Sequence, residues 1–483
     1  MSPTALTTHA RLPAILLRSR SSPRSGRYRG PWCPRSCLGL AGEFNRRSYP
    51  LQAAIVALPI VQLQQADYFI SHTLRISAPH VILRGVSRRF GGAANPATRV
   101  VVRSSTEDTI FIGTVANPGS INGFLTQVEV HDLDVTRDRV VTPPGVGSEI
   151  SGAAGIRLQF TLLTRLEHVH SSEHTIGFLL NGTVRTTLTD CFAARSTGGT
   201  STTNDIFFGF WLNGNVEIGA AGGNASTYLT DCNASIGGVP PVSDSYGFAV
   251  TGKPVDTFFF RPEASALKTG ILITGDQSAA GNADVHVINP IIDQFGVHGL
   301  YLDKIGNYGA IDVIGGYFAP VGGSVTTYCM RIANSTGMVA LTNNRCIAWH
   351  NSLTLGTVIE NSTGVVAKSN MHLGVRRPVS LVNASGCNVQ DIMNNPQEVA
   401  VQGAIWATGS SRNYLAPVVR GGAGVFPQGV NLIGAGNANN EVNCTGIDPA
   451  AIIGGAANKL QIGGVSVTTV GLSGTNLASG VMQ

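Results

Sequence analysis

Apolar residues return along the middle of this chain in one short phrase, glycine–apolar–any–apolar. It reads Gly155-Ile156-Arg157-Leu158, Gly177-Phe178-Leu179-Leu180, Gly209-Phe210-Trp211-Leu212, Gly247-Phe248-Ala249-Val250, Gly270-Ile271-Leu272-Ile273 and Gly299-Leu300-Tyr301-Leu302. Cys329-Met330-Arg331-Ile332 repeats the phrase without its glycine. Alternate residues are apolar within each copy, which is the period of a strand with one buried side, and no helical period joins the copies. One strand cannot bury that side alone, whereas self-similar units stack on one another. The pattern therefore predicts an all-β solenoid, a single-stranded parallel β-helix with coils about 4.8 Å apart.

Aligned on the glycine, the copies separate into inward and outward rows. Two inward ladders run Ile156, Phe178, Phe210, Phe248, Ile271, Leu300, Met330 and Leu158, Leu180, Leu212, Val250, Ile273, Leu302, Ile332. The outward row between them is Arg157, Leu179, Trp211, Ala249, Leu272, Tyr301, Arg331. The row before the glycine is Ala154, Ile176, Phe208, Tyr246, Thr269, His298, Tyr328, and the row at the strand end is Gln159, Asn181, Asn213, Thr251, Thr274, Asp303, Ala333. Trp211, Tyr246, Tyr301 and Tyr328 give this face more rings than a solvated surface needs. Aromatic faces stack on the apolar side of sugar rings, so the four are candidate substrate-binding residues. The alternative is that loops fold back over them, and Thr197–Phe207, Gly219–Asn224 and Gly237–Ser245 read as insertions beside this strand.

A second phrase, Leu188-Thr189-Asp190-Cys191, recurs as Leu229-Thr230-Asp231-Cys232 and Leu341-Thr342-Asn343-Asn344. Asp190, Asp231, Asn289 and Asn343 are expected in turns, where Asp and Asn side chains bond to nearby backbone. Cys191, Cys232 and Cys346 follow strands at similar coil positions and are expected as a stack of buried thiols rather than disulfides. Glu129, Asp132 and Asp134 alternate with apolar residues and read as the solvent side of an early coil.

Composition adds limits. The 483 residues include 59 glycines without a collagen period, which suits a turn-rich β protein. Much of the +5 net charge comes from the N-terminus, and the near-neutral remainder argues against a nucleic-acid partner. No apolar run approaches the ~20 residues that span a bilayer, so no membrane partner is expected. Residues 1–48 are rich in Arg, Pro, Ser and Cys, with Glu43 the only acid. They read as a mis-framed or mis-started stretch or as a basic, disordered targeting extension, and no signal-peptide core is visible. The β-helix is expected over 49–420, with C-terminal coils or a cap over 421–483.

From residue 51 come Leu51-Gln52-Ala53-Ala54-Ile55, Asp67-Tyr68-Phe69-Ile70, Thr73-Leu74-Arg75-Ile76 and His80-Val81-Ile82-Leu83-Arg84-Gly85. This run resembles the opening of the pectate-lyase-like superfamily of right-handed β-helix proteins, which includes pectate lyases, polygalacturonase-like hydrolases and phage tailspikes. The resemblance implies a short N-terminal capping helix, a right-handed solenoid and a polysaccharide partner. It also implies an extracellular, phage or cell-surface setting, and it allows a homotrimer. The glycine- and aspartate-rich stretch usual before such a helix is missing. The superfamily holds enzymes and non-catalytic proteins, so the fold alone does not choose between them.

A glycan hydrolase needs two carboxylates across the scissile bond. A lyase needs a base beside a uronate carboxylate, with cationic or calcium help. The densest suitable cluster is Asp293-Gln294-Phe295-Gly296-Val297-His298-Gly299-Leu300-Tyr301-Leu302-Asp303-Lys304, with Arg331 one coil on and Lys268 just before the preceding strand. His298, Asp303, Asp293, Arg331 and Lys268 are the candidate catalytic residues of a lyase or hydrolase acting on an acidic glycan. The other reading is a non-catalytic glycan-binding or structural β-helix. Glu167-His168-Val169-His170-Ser171-Ser172-Glu173-His174 offers two imidazoles to one strand face, but no third metal ligand follows from its spacing, and no metal site is assigned.

Overall fold

A computed structural model of the chain describes residues 48–86, 97–104, 107–137, 154–196, 206–214, 223–237, 244–275, 284–322, 325–348, 353–394, 405–420, 430–433, 437–444, 452–453, 459–462 and 465–468. The N-terminal Arg/Pro/Ser-rich stretch lies outside these residues but for Ser48, as do large parts of the three expected insertions.

The glycine-led phrases are strands, and among the described residues they belong to one parallel sheet of 14 strands running from Leu74–Ile76 to Ile452–Ile453. The coil that starts at Ile176–Asn181 continues through Val184–Thr189 and Phe192–Ser196 before the chain re-enters the same sheet at Phe207–Gly214. Strands of the second and third type belong to one 27-stranded sheet, because some strands run unbroken across both faces. Arg165–Ser172, for example, pairs with both Val184–Thr189 and Phe192–Ser196.

The register is the one the sequence dictates. Phe178 pairs with Ile156 and Phe210, Phe210 with Phe248, Phe248 with Ile271, Ile271 with Leu300 and Leu300 with Met330. All members of both inward ladders are fully buried. Phe178, Phe210 and Phe248 stack with centroids 4.8 and 5.0 Å apart and planes within 5°.

The repeating glycine has a steric cause. A Cβ on Gly177 would lie 2.6 Å from Ala193 Cβ, one on Gly209 would lie 2.5 Å from Ala234 Cβ, and one on Gly247 would lie 2.7 Å from Ala264 Cβ. Ala193, Ala234 and Ala264 form a row of their own across the third face. At these three coils the two sheets approach too closely for a side chain at the glycine position. Cys329 takes the glycine position in the copy that lacks one and is fully buried.

Asp190, Asp231, Asn289 and Asn343 have φ between 49° and 57°, as expected of a turn column between the second and third faces. Cys191 and Cys232 are free, buried and in the same row. Cys346 is also free and buried, but it pairs with Phe318, two positions further along than expected. Asp134 departs from the solvent side as well. It is only 2% exposed and sits 3.6 Å from His170 Nδ1.

The helix Ser48–Ala57 covers the open end with Leu51 and Ile55, one turn apart. Gln52 donates to Arg75 O and accepts from Arg75 N, both at 2.8 Å, so one side chain completes the edge of the first strand of the 14-stranded sheet. At the other end strands continue beyond residue 420. Glu441–Cys444 pairs in parallel with Lys459–Ile462, which then pairs antiparallel with Val465–Thr468. Among the described residues no helix is long and apolar enough to cross a membrane.

Candidate functional site

The outward side of the glycine-led sheet divides into two regions. Over the earlier coils Ala154, Ile176, Leu179, Ile206, Phe208 and Ala249 form an apolar cluster separate from the interior core. Trp211 and Tyr246 pack on its margin and stay half-buried. Phe208 stacks on Trp211 at 4.7 Å and on Tyr246 at 4.9 Å, and Trp211 Nε1 donates to Thr251 Oγ1 at 3.1 Å. This region is largely covered.

The later coils keep their groups within reach of solvent. His298 pairs with Tyr328, and Tyr301 pairs with Arg331, across adjacent coils. The His298 ring stacks on Tyr301 at 4.7 Å and on Tyr328 at 5.2 Å. The Arg331 guanidinium lies 5.2 Å from the Tyr301 centroid and 5.0 Å from that of Tyr328. Its Nε and Nη2 donate to Glu360 Oε2 at 3.1 and 2.7 Å, and its Nη1 meets His298 Nε2 at 3.4 Å. Arginine only donates, so Nε2 is the bare nitrogen of a neutral imidazole.

Electrostatics agree with a neutral ring. Burial, then Arg331 and Lys268, push His298 down to about 3. Burial, then Asp244, pushes Tyr246 up to about 12, and burial with Asp303 raises Tyr301. Arg331 is raised: burial opposes its charge, but its bond to Glu360 and the charge there prevail.

Among the sequence candidates, the structure gathers His298, Tyr301, Tyr328 and Arg331 into one contact network. Asp303 stands at the end of the same strand and accepts from Asn334 Nδ2 at 2.9 Å. The Lys268 carbonyl accepts from His298 N at 3.0 Å while its ammonium is bound to Asp244. Asp293 is set apart. It lies on the third face in Ile291–Phe295, where it caps its own turn through Gln294 N.

Glu360 and Asp244 were not legible as site residues. Glu360 ends an eighth copy of the phrase, Gly356-Thr357-Val358-Ile359, hidden because Thr357 stands where an apolar residue is expected; Thr357 is nonetheless fully buried. The phrase itself was the available signal.

His168 has φ 54°, which breaks the strand alternation, so His168 and His170 do not present one face. His170 stacks on Phe192, and His168 turns to Asp132. Among the described residues no group of three or more His, Cys, Asp or Glu comes together to hold a metal. Asp244, Asp303 and Glu360 are each tied to a donor of the protein, so this donor set does not fit calcium.

No family model matches the sequence, and no curated protein matches it. Solved structures do. Tailspike protein 3 of bacteriophage CBA120 superposes with a TM-score of 0.55 at 14% identity, over 89% of this chain and 61% of that one. The chain thus spans about three fifths of the length of that tailspike. A mutant tailspike of E. coli bacteriophage HK620, in complex with a hexasaccharide, gives 0.63 at 10% identity, over 86% of this chain and 74% of that one. The Agl-KA catalytic domain gives 0.50 at 10%, over 88% and 66%. At these identities the likeness is one of fold, the right-handed parallel β-helix.

Proposed function

We propose that the chain binds a polysaccharide along the outward side of the glycine-led sheet and hydrolyses it with Asp303 and Glu360. The observation that carries this reading is their place in the row. Asp303 pairs with Ala333 and Ala333 with Glu360, so the two carboxylates stand two coils apart on one face, with Arg331 beside them. Two coil steps separate their Cα atoms by ~9.6 Å. Both side chains lean toward the coil between them, Glu360 to Arg331 and Asp303 to Asn334, so the carboxyls stand nearer than their Cα atoms. That favours a pair in which one group protonates the leaving oxygen while the other draws a proton from the attacking water, a division of labour used with carboxyls ~6.5–9.5 Å apart. Tyr301 and Tyr328, with Trp211 and Tyr246 further along, offer rings to the sugar faces.

Lyase chemistry is poorly served by the same groups. Its base must be able to take a proton near neutral pH. His298 is pushed down to about 3, Tyr246 up to about 12, and Lys268 is bound to Asp244. The hexasaccharide on the HK620 tailspike is consistent with a glycan partner and an extracellular or surface setting.

A second reading, glycan binding without cleavage, is favoured by the engagement of both carboxylates, Asp303 with Asn334 and Glu360 with Arg331. Product mass spectrometry on a panel of polysaccharides separates the two. Hydrated oligosaccharides are expected from the parent, and Asp303→Asn and Glu360→Gln are each expected to lose about a hundredfold or more in turnover while still binding. Products lighter by one water would point to a lyase and overturn the hydrolytic assignment. Binding without any product would leave the second reading standing.

A further inference from the structure

We infer that Asn334, backed by Asn361 and Asn383, is a positioning residue for Asp303. Its amide occupies Oδ1, which makes Oδ2 the oxygen that exchanges a proton with the glycan or the attacking water. The inference rests on the hydrolytic reading of this site and adds the group that aims one of its two carboxylates.

A short phrase recurs where the chain leaves the glycine-led sheet. It reads Ala333-Asn334-Ser335-Thr336-Gly337 and Glu360-Asn361-Ser362-Thr363-Gly364, then Val382-Asn383-Ala384-Ser385-Gly386. Exposed Lys304 takes the asparagine position one coil earlier. Lys304 N donates to Ala333 O, Asn334 N to Glu360 O, Asn361 N to Val382 O and Asn383 N to Thr408 O. These four residues have φ between 47° and 56°, a conformation that asparagine tolerates and glycine adopts freely.

The asparagine side chains form a ladder with one direction. Asn383 Nδ2 donates to Asn361 Oδ1 at 3.1 Å, Asn361 Nδ2 to Asn334 Oδ1 at 3.3 Å, and Asn334 Nδ2 to Asp303 Oδ1 at 2.9 Å. A lysine side chain accepts nothing, so at Lys304 the ladder leaves its column and ends on the adjacent Asp303. Each bond polarises the next, and all three run toward the carboxylate.

The turn itself does not need these amides. A second ladder, of buried serines, holds the backbone beneath them. Ile305 N donates to Ser335 Oγ at 3.1 Å and Ser335 N to Ser362 Oγ at 3.0 Å. The two hydroxyls donate in turn to Ala333 O at 2.8 Å and Glu360 O at 2.6 Å. The corner beside both carboxylates is thus fixed from below, and what the asparagines add is aim. An amide N–H on Oδ1 keeps that oxygen an acceptor. Whichever half of the reaction Asp303 performs, the proton it takes from water or gives to the leaving oxygen passes through Oδ2.

Steady-state kinetics on a polysaccharide that the parent cleaves test this. Asn334→Gly removes the amide and suits the positive φ, while Asn334→Asp keeps the shape but has no N–H to give. Both are expected to lose about tenfold or more in kcat, the scale of a hydrogen bond to a charged group, with KM held within about twofold. Asn361→Gly, one step back along the ladder, is expected to lose about two- to threefold. Asn289→Gly, the same change in the turn column between the other two faces, should leave turnover unchanged. The pH profile carries a signature that a structural role lacks. In Asn334→Asp the new carboxyl regains an O–H donor when protonated, so turnover relative to the parent should recover as pH falls from about 7 to about 4. Parent-like kcat in Asn334→Gly, a loss carried by KM alone, or an Asn334→Asp deficit that stays constant with pH would overturn the inference. In each of those cases an inactive Asp303→Asn leaves the hydrolytic reading intact. A parent that releases no product overturns both.

Discussion

At Gly209 the fold tolerates no side chain at all. A Cβ there would lie 2.5 Å from Ala234 Cβ and 2.6 Å from Gly247 O, and both neighbours are fixed by their own sheets. Gly209→Ala is expected to cost ~1–3 kcal/mol, the usual penalty for overpacking, whereas Gly322→Ala, with nothing within 4 Å, is expected to be neutral. Thermal and urea melts of the two variants check this. His298 poses a different question, because its burial has a pH signature. Its proton is lost near 6.5 in an unfolded chain and near 3 in the fold. Between those values the unfolded chain binds a proton that the folded chain refuses, so stability falls as pH is lowered through that window and is unaffected above it. His298→Phe keeps a ring between Tyr301 and Tyr328 but cannot titrate. It should therefore lose less thermal stability than the parent between pH 7 and pH 4; parallel losses would mean that the imidazole is not held neutral.

The capping helix shows how an element can hinge on one side chain. Gln52 replaces a whole neighbouring strand for Arg75, and Gln52→Ala removes both hydrogen bonds at once. A loss of ~1–3 kcal/mol is expected, concentrated on the first coil, with faster amide exchange in Leu74–Ile76 and little change in the strand His298–Asp303. How far each element could be read from the sequence follows from the same local physics. The glycine-led strands were legible because close approach of the third face, to Ala193, Ala234 and Ala264 at three coils, favours glycine at one position of the repeat. The outward rows followed, since a strand's alternation fixes both faces together. The eighth copy was hidden because a buried threonine at 357 satisfies the packing but not the apolar pattern. Asp293 was drawn into the site by closeness in sequence, yet the corner between Phe295 and His298 sends it to another face. Cys346 was misplaced by two residues because Asn344, not a cysteine, occupies the turn position that Cys191 and Cys232 hold. Ion pairs such as Lys268–Asp244 join groups 24 residues apart, and nothing in a short phrase announces them.

Across the whole molecule each coil touches its neighbours and little else, so the proposed binding face is a ruler with coil-pitch divisions. Trp211, Ala249, Leu272, Tyr301 and Arg331 mark five successive divisions of one row. Four steps place Trp211 ~19 Å from Arg331, a length that several linked sugars can span. If a glycan lies along this row, affinity should climb with chain length while new units reach new rings, then level off once Trp211 is met. Titration calorimetry with a size-graded oligosaccharide series measures this. Trp211→Ala should bring the plateau forward to shorter chains and leave the binding of the shortest ligands unchanged, because they need only Tyr301, Tyr328 and Arg331. Tyr301→Ala should weaken every length by about tenfold, the scale of one lost aromatic contact of ~1.5 kcal/mol. Equal loss at all lengths in both variants would place the glycan across the coils instead of along them.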